Sequence, residues 1–302
     1  MTVRAQSPAS PTPQTAEGCL QAALHYRELG WCPLPCCVPV SDTACNVQRH
    51  GVCDQPGQRP RVTWQAREAV SAEELRTWWR WWPRANVAVL TGKRSGYLLV
   101  LAIDPPHGGC ASLAALEARY EPLPETVSHT TGSRGQHRLF TYPAGVPVGH
   151  AAGAKLGAGL DTRGEGGVIL APPSRHRSGA RATWVDGRGP GEVALAPAPL
   201  WLVSLLTVTR PQGLQCGYGW GRVGASGPRI LEGMRHIALF RIAAAMRDRG
   251  KRADTIVQEL HRVNQARCTP PLDEPALAAI AASVQRYAPT FGGRILATRR
   301  GA

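Results

Sequence analysis

Leu98-Leu99-Val100-Leu101-Ala102-Ile103-Asp104-Pro105-Pro106-His107-Gly108-Gly109 is the stretch on which the reading of this chain turns. Residues 97–103 are an apolar run of strand length, the pattern of a β-strand buried on both faces. Asp104 stands at its end, and Pro105-Pro106 turns the chain away. Taken alone, Asp104 also fits a simple turn acid. Two later segments change its meaning: Thr131-Gly132-Ser133-Arg134-Gly135-Gln136-His137-Arg138-Leu139-Phe140 and Gly159-Leu160-Asp161-Thr162-Arg163-Gly164-Glu165-Gly166-Gly167. In order, the three supply two carboxylates, Asp104 and Asp161, and one imidazole, His137, each on or beside a strand. Phosphoryl chemistry with two divalent cations needs carboxylates that hold the ions about 4 Å apart. Two acids spaced i, i+2 on a strand serve this well, because alternate side chains share a face. The residue two before Asp104 is Ala102, which has no oxygen to donate.

Around this stretch the pattern is mixed. Leu20, Ala23, Leu24 and Leu29 predict a helix over 18–29 that stops at Gly30. Residues 31–40 are apolar and proline-punctuated, a short strand and loop, and 41–61 are polar and irregular. Ser71 and Glu74 make a capping box for a helix carrying Leu75, Trp78, Trp79 and Trp82. Further strands are predicted at 86–91, 126–131, 136–142, 167–171 and 182–185, and helices at 112–120 and 200–207. From Leu231 onward the periodicity is helical throughout. The fold class is α+β, followed by a small all-α region. The segments are a disordered lead-in at 1–17, an α+β domain at 18–207, a Gly-rich linker at 208–228, a helical domain at 229–290 and a basic tail at 291–302.

The 302 residues carry a formal net charge of +14 although only 19% are charged, which points to a polyanionic partner such as nucleic acid. No apolar run approaches the roughly 20 residues that span a bilayer, so no membrane partner is expected, and the lead-in lacks the apolar core of an export signal. A cytoplasmic location follows as the expectation. No Gly-rich loop ending in Lys-Ser/Thr is present, so a P-loop motor is excluded. Nine cysteines, an odd number, rule out a complete disulfide framework. Cys45, His50 and Cys53, with Cys36 or Cys37 upstream and Cys36 taken as the ligand, have the composition of a Cys3His zinc site at irregular spacing. Buried free cysteines fit the same residues. Helical spacing turns Trp78, Trp79 and Trp82 to the core and leaves Trp81 for solvent or a nucleic-acid base.

The ordered segments resemble the bifunctional primase–polymerase domain of the archaeo-eukaryotic primase superfamily. That family pairs an Asp-x-Asp-Pro with a nearby His-Gly-Gly, then a Gly-Gly-x-His-Leu-Tyr/Phe segment, then Gly-x-Asp-x-Arg-Gly-x-Gly-Gly leading to Pro-Pro-Ser. Here the last is Pro172-Pro173-Ser174. Ala23-Leu24-His25-Tyr26-Arg27-Glu28-Leu29-Gly30-Trp31 resembles the opening helix, and Pro56-Gly57-Gln58-Arg59-Pro60 resembles its Pro-Gly-Lys-His-Pro with Lys and His replaced. The resemblance spans 18–190. It implies a split α/β module related to the RNA-recognition-type fold. It also implies Mg2+ or Mn2+ on Asp104 and Asp161, His137 on the incoming triphosphate, and phosphate contacts from Ser133, Arg134, Gly135, Lys155 and Arg163. The implied activity is DNA primase/polymerase: nucleoside triphosphates joined on a single-stranded DNA template, with a separate replicative helicase as a further partner and a mobile genetic element as the setting.

Ala102 departs from the pattern, standing where the family has its first acid. The chain is then an inactivated variant, a degenerate homologue that binds without polymerising, or one in which Glu165 or a water compensates. A different metal-dependent nucleotidyltransferase or phosphodiesterase on a similar strand framework is a further alternative. Residues 227–289, with Glu232-Gly233-Met234-Arg235-His236-Ile237 at their start, resemble a primase C-terminal helical module, whose implied role is to bind template or initiating nucleotide. A bundle that merely packs on the catalytic domain fits the same residues.

Overall fold

The computed structural model describes residues 16–46, 53, 55–65, 69–152, 155–207, 227–287, 290–291 and 294–295. The lead-in up to residue 15, His50, linker residues 208–226 and nearly all of the tail lie outside them. In chain order the elements are α1 (Ala16–Glu28), β1 (Cys32–Cys36), β2 (Pro39–Ser41), β3 (Ala44–Cys45), α2 (Ala72–Trp81), β4 (Asn86–Leu90), β5 (Leu98–Ile103), α3 (Gly109–Arg119), β6 (Ser128–Thr130), β7 (Gln136–Thr141), β8 (Ala151–Ala152), β9 (Leu160–Arg163), β10 (Val168–Leu170), β11 (Thr183–Trp184), α4 (Leu200–Leu206), β12 (Ile230–Leu231), α5 (Arg235–Asp248), α6 (Ala253–Arg267), β13 (Cys268–Thr269) and α7 (Glu274–Gln285). No helix among the described residues is long and apolar enough to cross a membrane. The mixed α/β architecture is the α+β class expected from the sequence; α7 is followed by two short strands, β14 (Thr290–Phe291) and β15 (Arg294–Ile295), paired antiparallel.

The chain forms two compact units, the first made of residues 1–90, 129–133 and 168–184, the second of the rest. In the first, β1 and β10 flank β4 in a three-stranded antiparallel sheet. Ser71 caps α2 as its sequence predicts: its Oγ accepts from the Glu74 amide, and the Glu74 carboxylate accepts from the Ser71 amide. Trp78 and Trp79 are buried, Trp82 is half-buried and Trp81 is 64% exposed. Asn86 is buried at the start of β4, donates to the Gly57 and Arg175 carbonyls and accepts from the Arg175 amide. Ser174 Oγ accepts from the Val87 amide and donates to its carbonyl. The Pro-Gly and Pro-Pro-Ser segments thus pin loops to the edge of β4.

His129 is fully buried in this unit, with its ring edge-on to Trp184 at 5.4 Å. Burial pushes its imidazole down to about 4, opposed by a hydrogen bond to the Thr130 carbonyl. An unfolded histidine titrates near pH 6.5. Between that value and about 4, the unfolded chain takes up a proton that the folded chain refuses. Stability is therefore full above pH 6.5 and is lost as pH falls, by up to about 3 kcal/mol. Urea midpoints measured from pH 7 to pH 4 should fall more steeply for the native chain than for His129→Gln. Equal slopes would show that another group carries the effect.

In the second unit β7, β5, β9 and β8 lie side by side, all antiparallel. Leu99, Leu101, Ile103, Phe140, Leu160 and Ala151 project to one face, where they join a single buried core with Trp201 and Leu202 of α4 and the inner sides of α5–α7. Tyr120 stacks on Trp201 at 5.1 Å, and Tyr287 after α7 meets it edge-on. Arg286 pairs with Glu121 at 2.6 Å, and Arg241 donates to the Ser204 hydroxyl. The C-terminal helices are therefore built onto the back of the sheet through a shared apolar core.

Candidate active site

The other face of that sheet carries the chemistry-bearing residues. Ala102 on β5 is directly opposite His137 on β7 and directly opposite Asp161 on β9. Directly opposed residues of antiparallel strands project to the same face. His137, Ala102 and Asp161 thus form one transverse row. Five of the six β5 residues are buried, and Ala102 is the exception. Along β9 burial alternates, with Leu160 and Thr162 inward and Asp161 and Arg163 half-buried on the open face. Arg163 lies opposite Val100, one alternation step behind Asp161.

Asp104 extends the row. Its backbone is extended, so the alternation continues from Ala102 to Asp104. Its amide donates to the Gly159 carbonyl at 2.8 Å, just before Asp161, and its carbonyl accepts from the His107 and Gly109 amides. The two glycines make this approach feasible. A Cβ on Gly109 would stand 2.5 Å from the Gly159 carbonyl oxygen. One on Gly159, which has φ +70°, would stand 2.4 Å from the Gly109 nitrogen. The Asp104 carboxylate, about half exposed, meets His107 Nδ1 at 2.7 Å. His107 was part of the sequence motif without a role of its own. Its place three residues after Asp104, across the tight turn opened by Pro105, is the signal that gives it one.

The phosphate-contact residues are spread more widely. Lys155 is exposed on the loop that leads into β9, next to the buried Leu156. Arg134 is exposed at φ +67°, and Gly135 is buried at the entry to β7. Ser133 belongs to the first unit and shares a hydrogen bond with Thr131 Oγ1.

Glu165 stands off the row that holds Ala102. Asp161 faces Ala102, Arg163 faces Val100, and Glu165 follows beyond the far end of β9. There its Oε2 accepts from the Lys93 amide at 2.8 Å and from the Tyr142 hydroxyl at 3.1 Å. A carboxylate so held closes the loop after β9 and leaves the row with two acids. The row therefore offers two carboxylates and an imidazole, one carboxylate short of the family pattern. Among the described residues no group of three or more His, Cys, Asp or Glu side chains could hold a metal ion.

The cysteine cluster differs from its sequence expectation. The thiols that gather are Cys37, Cys45 and Cys53. Cys36, taken as the upstream ligand, points away: it is fully buried and its thiol donates to the Gln58 carbonyl. Burial pushes the Cys37 thiol up to about 11.

Residues 23–201 match the model of the bifunctional DNA primase/polymerase N-terminal domain. Residues 228–290 match that of the primase C-terminal 1 domain. No curated protein matches the chain. With more than half its length in the first match, a C-terminal module in the second, and the row of His137, Ala102 and Asp161 on the open face of the sheet, the chain belongs to the bifunctional DNA primase/polymerase family.

Proposed function

We propose that this chain binds a nucleoside triphosphate with one Mg2+ or Mn2+ against a single-stranded DNA template, and transfers nucleotides at a rate reduced by the missing carboxylate at position 102. The observation that carries this reading is the transverse row of His137, Ala102 and Asp161 with Asp104 one step beyond. Asp104 and Asp161 would hold the ion, which when bound supplies positive charge against the triphosphate. His137, from the neighbouring strand, would donate to a phosphate oxygen and orient it. Arg163, one step back on the same face, and Lys155 and Arg134 would contribute charge to the same phosphates. His107 would fix the Asp104 carboxylate by holding one of its oxygens. The reaction would join a (d)NTP to a 3′-hydroxyl and release pyrophosphate. The net charge of +14 suits the template backbone. A replicative helicase supplied separately, and a plasmid or phage setting, accompany this reading by family likeness.

A second reading, a DNA-binding replication accessory without chemistry, is favoured by the commitment of Glu165 to Lys93 and Tyr142, since no acid then replaces the absent one. Template-dependent extension with Mn2+, run on the native chain beside Asp161→Asn and His137→Ala, separates the two. Slow extension that vanishes in Asp161→Asn supports nucleotidyl transfer. Tight, salt-sensitive binding of single-stranded DNA with no extension in any of the three supports the accessory. Absence of both triphosphate and DNA binding would sink either reading.

A further inference from the structure

α2 turns its apolar side inward and leaves a basic, aromatic face outside. Leu75, Trp78 and Trp79 are buried, so the stripe by which an amphipathic helix lies on a lipid surface is already covered. The side chains left in solvent are Glu73, Arg76, Arg80 and Trp81, and Arg84 is exposed in the turn after the helix. Arg76 and Arg80 are four residues apart and neighbours on the helix surface. Trp81, at 64% exposure, lies beside Arg80 on the other flank of the same outer face. Glu74 is engaged by the cap, Glu73 stands in the first turn, and residues 80–84 contain no acid.

A lone exposed apolar side chain is ordinary. Trp81 differs in its setting. Its ring meets that of Trp82 edge-on at 5.7 Å, and Arg61 lies over the Trp82 ring at 5.1 Å. Trp82 is half-buried, so Trp81 is braced from one side by an anchored neighbour while most of it faces water. An indole so held loses little conformational freedom when a flat group stacks on it. Guanidiniums around an exposed indole match both parts of an oligonucleotide: the phosphates pair with the cations, and a base face stacks on the ring. The match is to a single strand, because bases in a duplex stack on one another and present only their edges. A protein partner fits less well. Protein interfaces are built round an apolar centre depleted of charge, and here one aromatic stands among like charges.

We propose that the outer face of α2 is a docking surface for single-stranded DNA, with Trp81 stacking on a base and Arg76, Arg80 and Arg84 contacting the neighbouring phosphates. The contact tolerates any sequence, since every base offers a π-face. This assignment rests on the reading of the chain as one that takes a single-stranded template. It places part of that strand's affinity on an element that carries none of Asp104, His137 and Asp161.

The test is titration of the full chain into a fluorescently labelled oligothymidine, followed by anisotropy at several salt concentrations. Trp81→Ala should weaken binding about 5- to 150-fold and leave the salt dependence unchanged, and Trp81→Phe should restore most of the loss. Arg76→Gln, Arg80→Gln and Arg84→Gln together should reduce the slope of log affinity against log salt by about 2, at roughly 0.7 per phosphate contact. On a duplex of equal length Trp81→Ala should change nothing. Urea midpoints check that each variant is folded. As a readout that needs no disruptive change, unlabelled oligonucleotide should quench the tryptophan emission of the native chain more than that of Trp81→Phe. Native-like single-strand binding in both Trp81→Ala and the triple arginine variant would overturn the surface and leave the template reading standing. No binding of the oligonucleotide by the native chain would overturn both. Self-association of the native chain that Trp81→Ala abolishes, with DNA affinity unchanged, would make the face an interface between copies and overturn the assignment.

Discussion

Ala102→Asp is expected to raise template-directed extension by the native chain on the order of 10²–10³-fold, the range that single well-placed electrostatic groups contribute at reacting phosphates and acyl centres. The geometry is already in place. Position 102 is the one β5 residue that is not buried, so a longer side chain there meets the open face rather than the apolar core. A carboxylate at that position would stand about 5 Å, Cβ to Cβ, from Asp161, with which Ala102 is in register. It would also share a face with Asp104, two residues on. Three acids would then lie on the face where two lie now. Crowding like charges has a cost without a cation, so the variant should be less stable than the native chain in chelator and recover with Mn2+. Extension rates with Mn2+ and urea midpoints with and without it check both statements. If the variant extends no faster, although folded and able to bind triphosphate, the row formed by His137, Ala102 and Asp161 is not the reacting centre.

The parts legible in the sequence were those in which local chemistry and burial agree. The apolar run of β5 and the capping box of α2 needed no tertiary information, because hydrophobic content and a Ser–Glu spacing specify them directly. The helical periods of α5, α6 and α7 were equally plain. The β9 stretch reads as a motif rather than as a strand. Leu160-Asp161-Thr162-Arg163 alternates, but its outward positions carry Asp and Arg because they face the site, and its inward Thr162 is polar. A strand whose open face does chemistry loses the apolar signature by which strands are found. α3 begins at Gly109, three residues before its amphipathic pattern starts, because Gly108 takes φ +86° and lets the helix start at once. Cys36 and Cys37 could not be told apart by spacing. Adjacent residues on extended chain project to opposite sides, and only the β2–β3 hairpin decides which one meets Cys45. That α5–α7 share a core with the back of β5 is likewise a property of assembled surfaces, which no single amphipathic stripe reveals.

Gly159→Ala should destabilise the chain by about 2–5 kcal/mol and abolish triphosphate binding, whereas Gly166→Ala should cost only about 1–2 kcal/mol. Both glycines have a positive φ, +70° and +73°, so both pay the left-handed backbone penalty that a Cβ brings. At Gly166 nothing lies within 4 Å of the added carbon. At Gly159 the added carbon would stand 2.4 Å from the Gly109 nitrogen and 2.7 Å from the carbonyl oxygens of Asp104 and His107. All three are backbone atoms at the turn that presents Asp104, and none can swing aside as a side chain would. Relief requires the turn to move off β9. That movement breaks the hydrogen bond from the Asp104 amide to the Gly159 carbonyl, and a group left unsatisfied there costs about 1–3 kcal/mol beyond the backbone penalty. It also carries the Asp104 carboxylate away from Asp161, so binding should fail even at temperatures where the variant remains folded. Subtracting the Gly166→Ala midpoint from the Gly159→Ala midpoint isolates the contact from the conformational penalty. A difference near zero, with triphosphate affinity intact, would mean that the close approach of these glycines does not hold the two acids together.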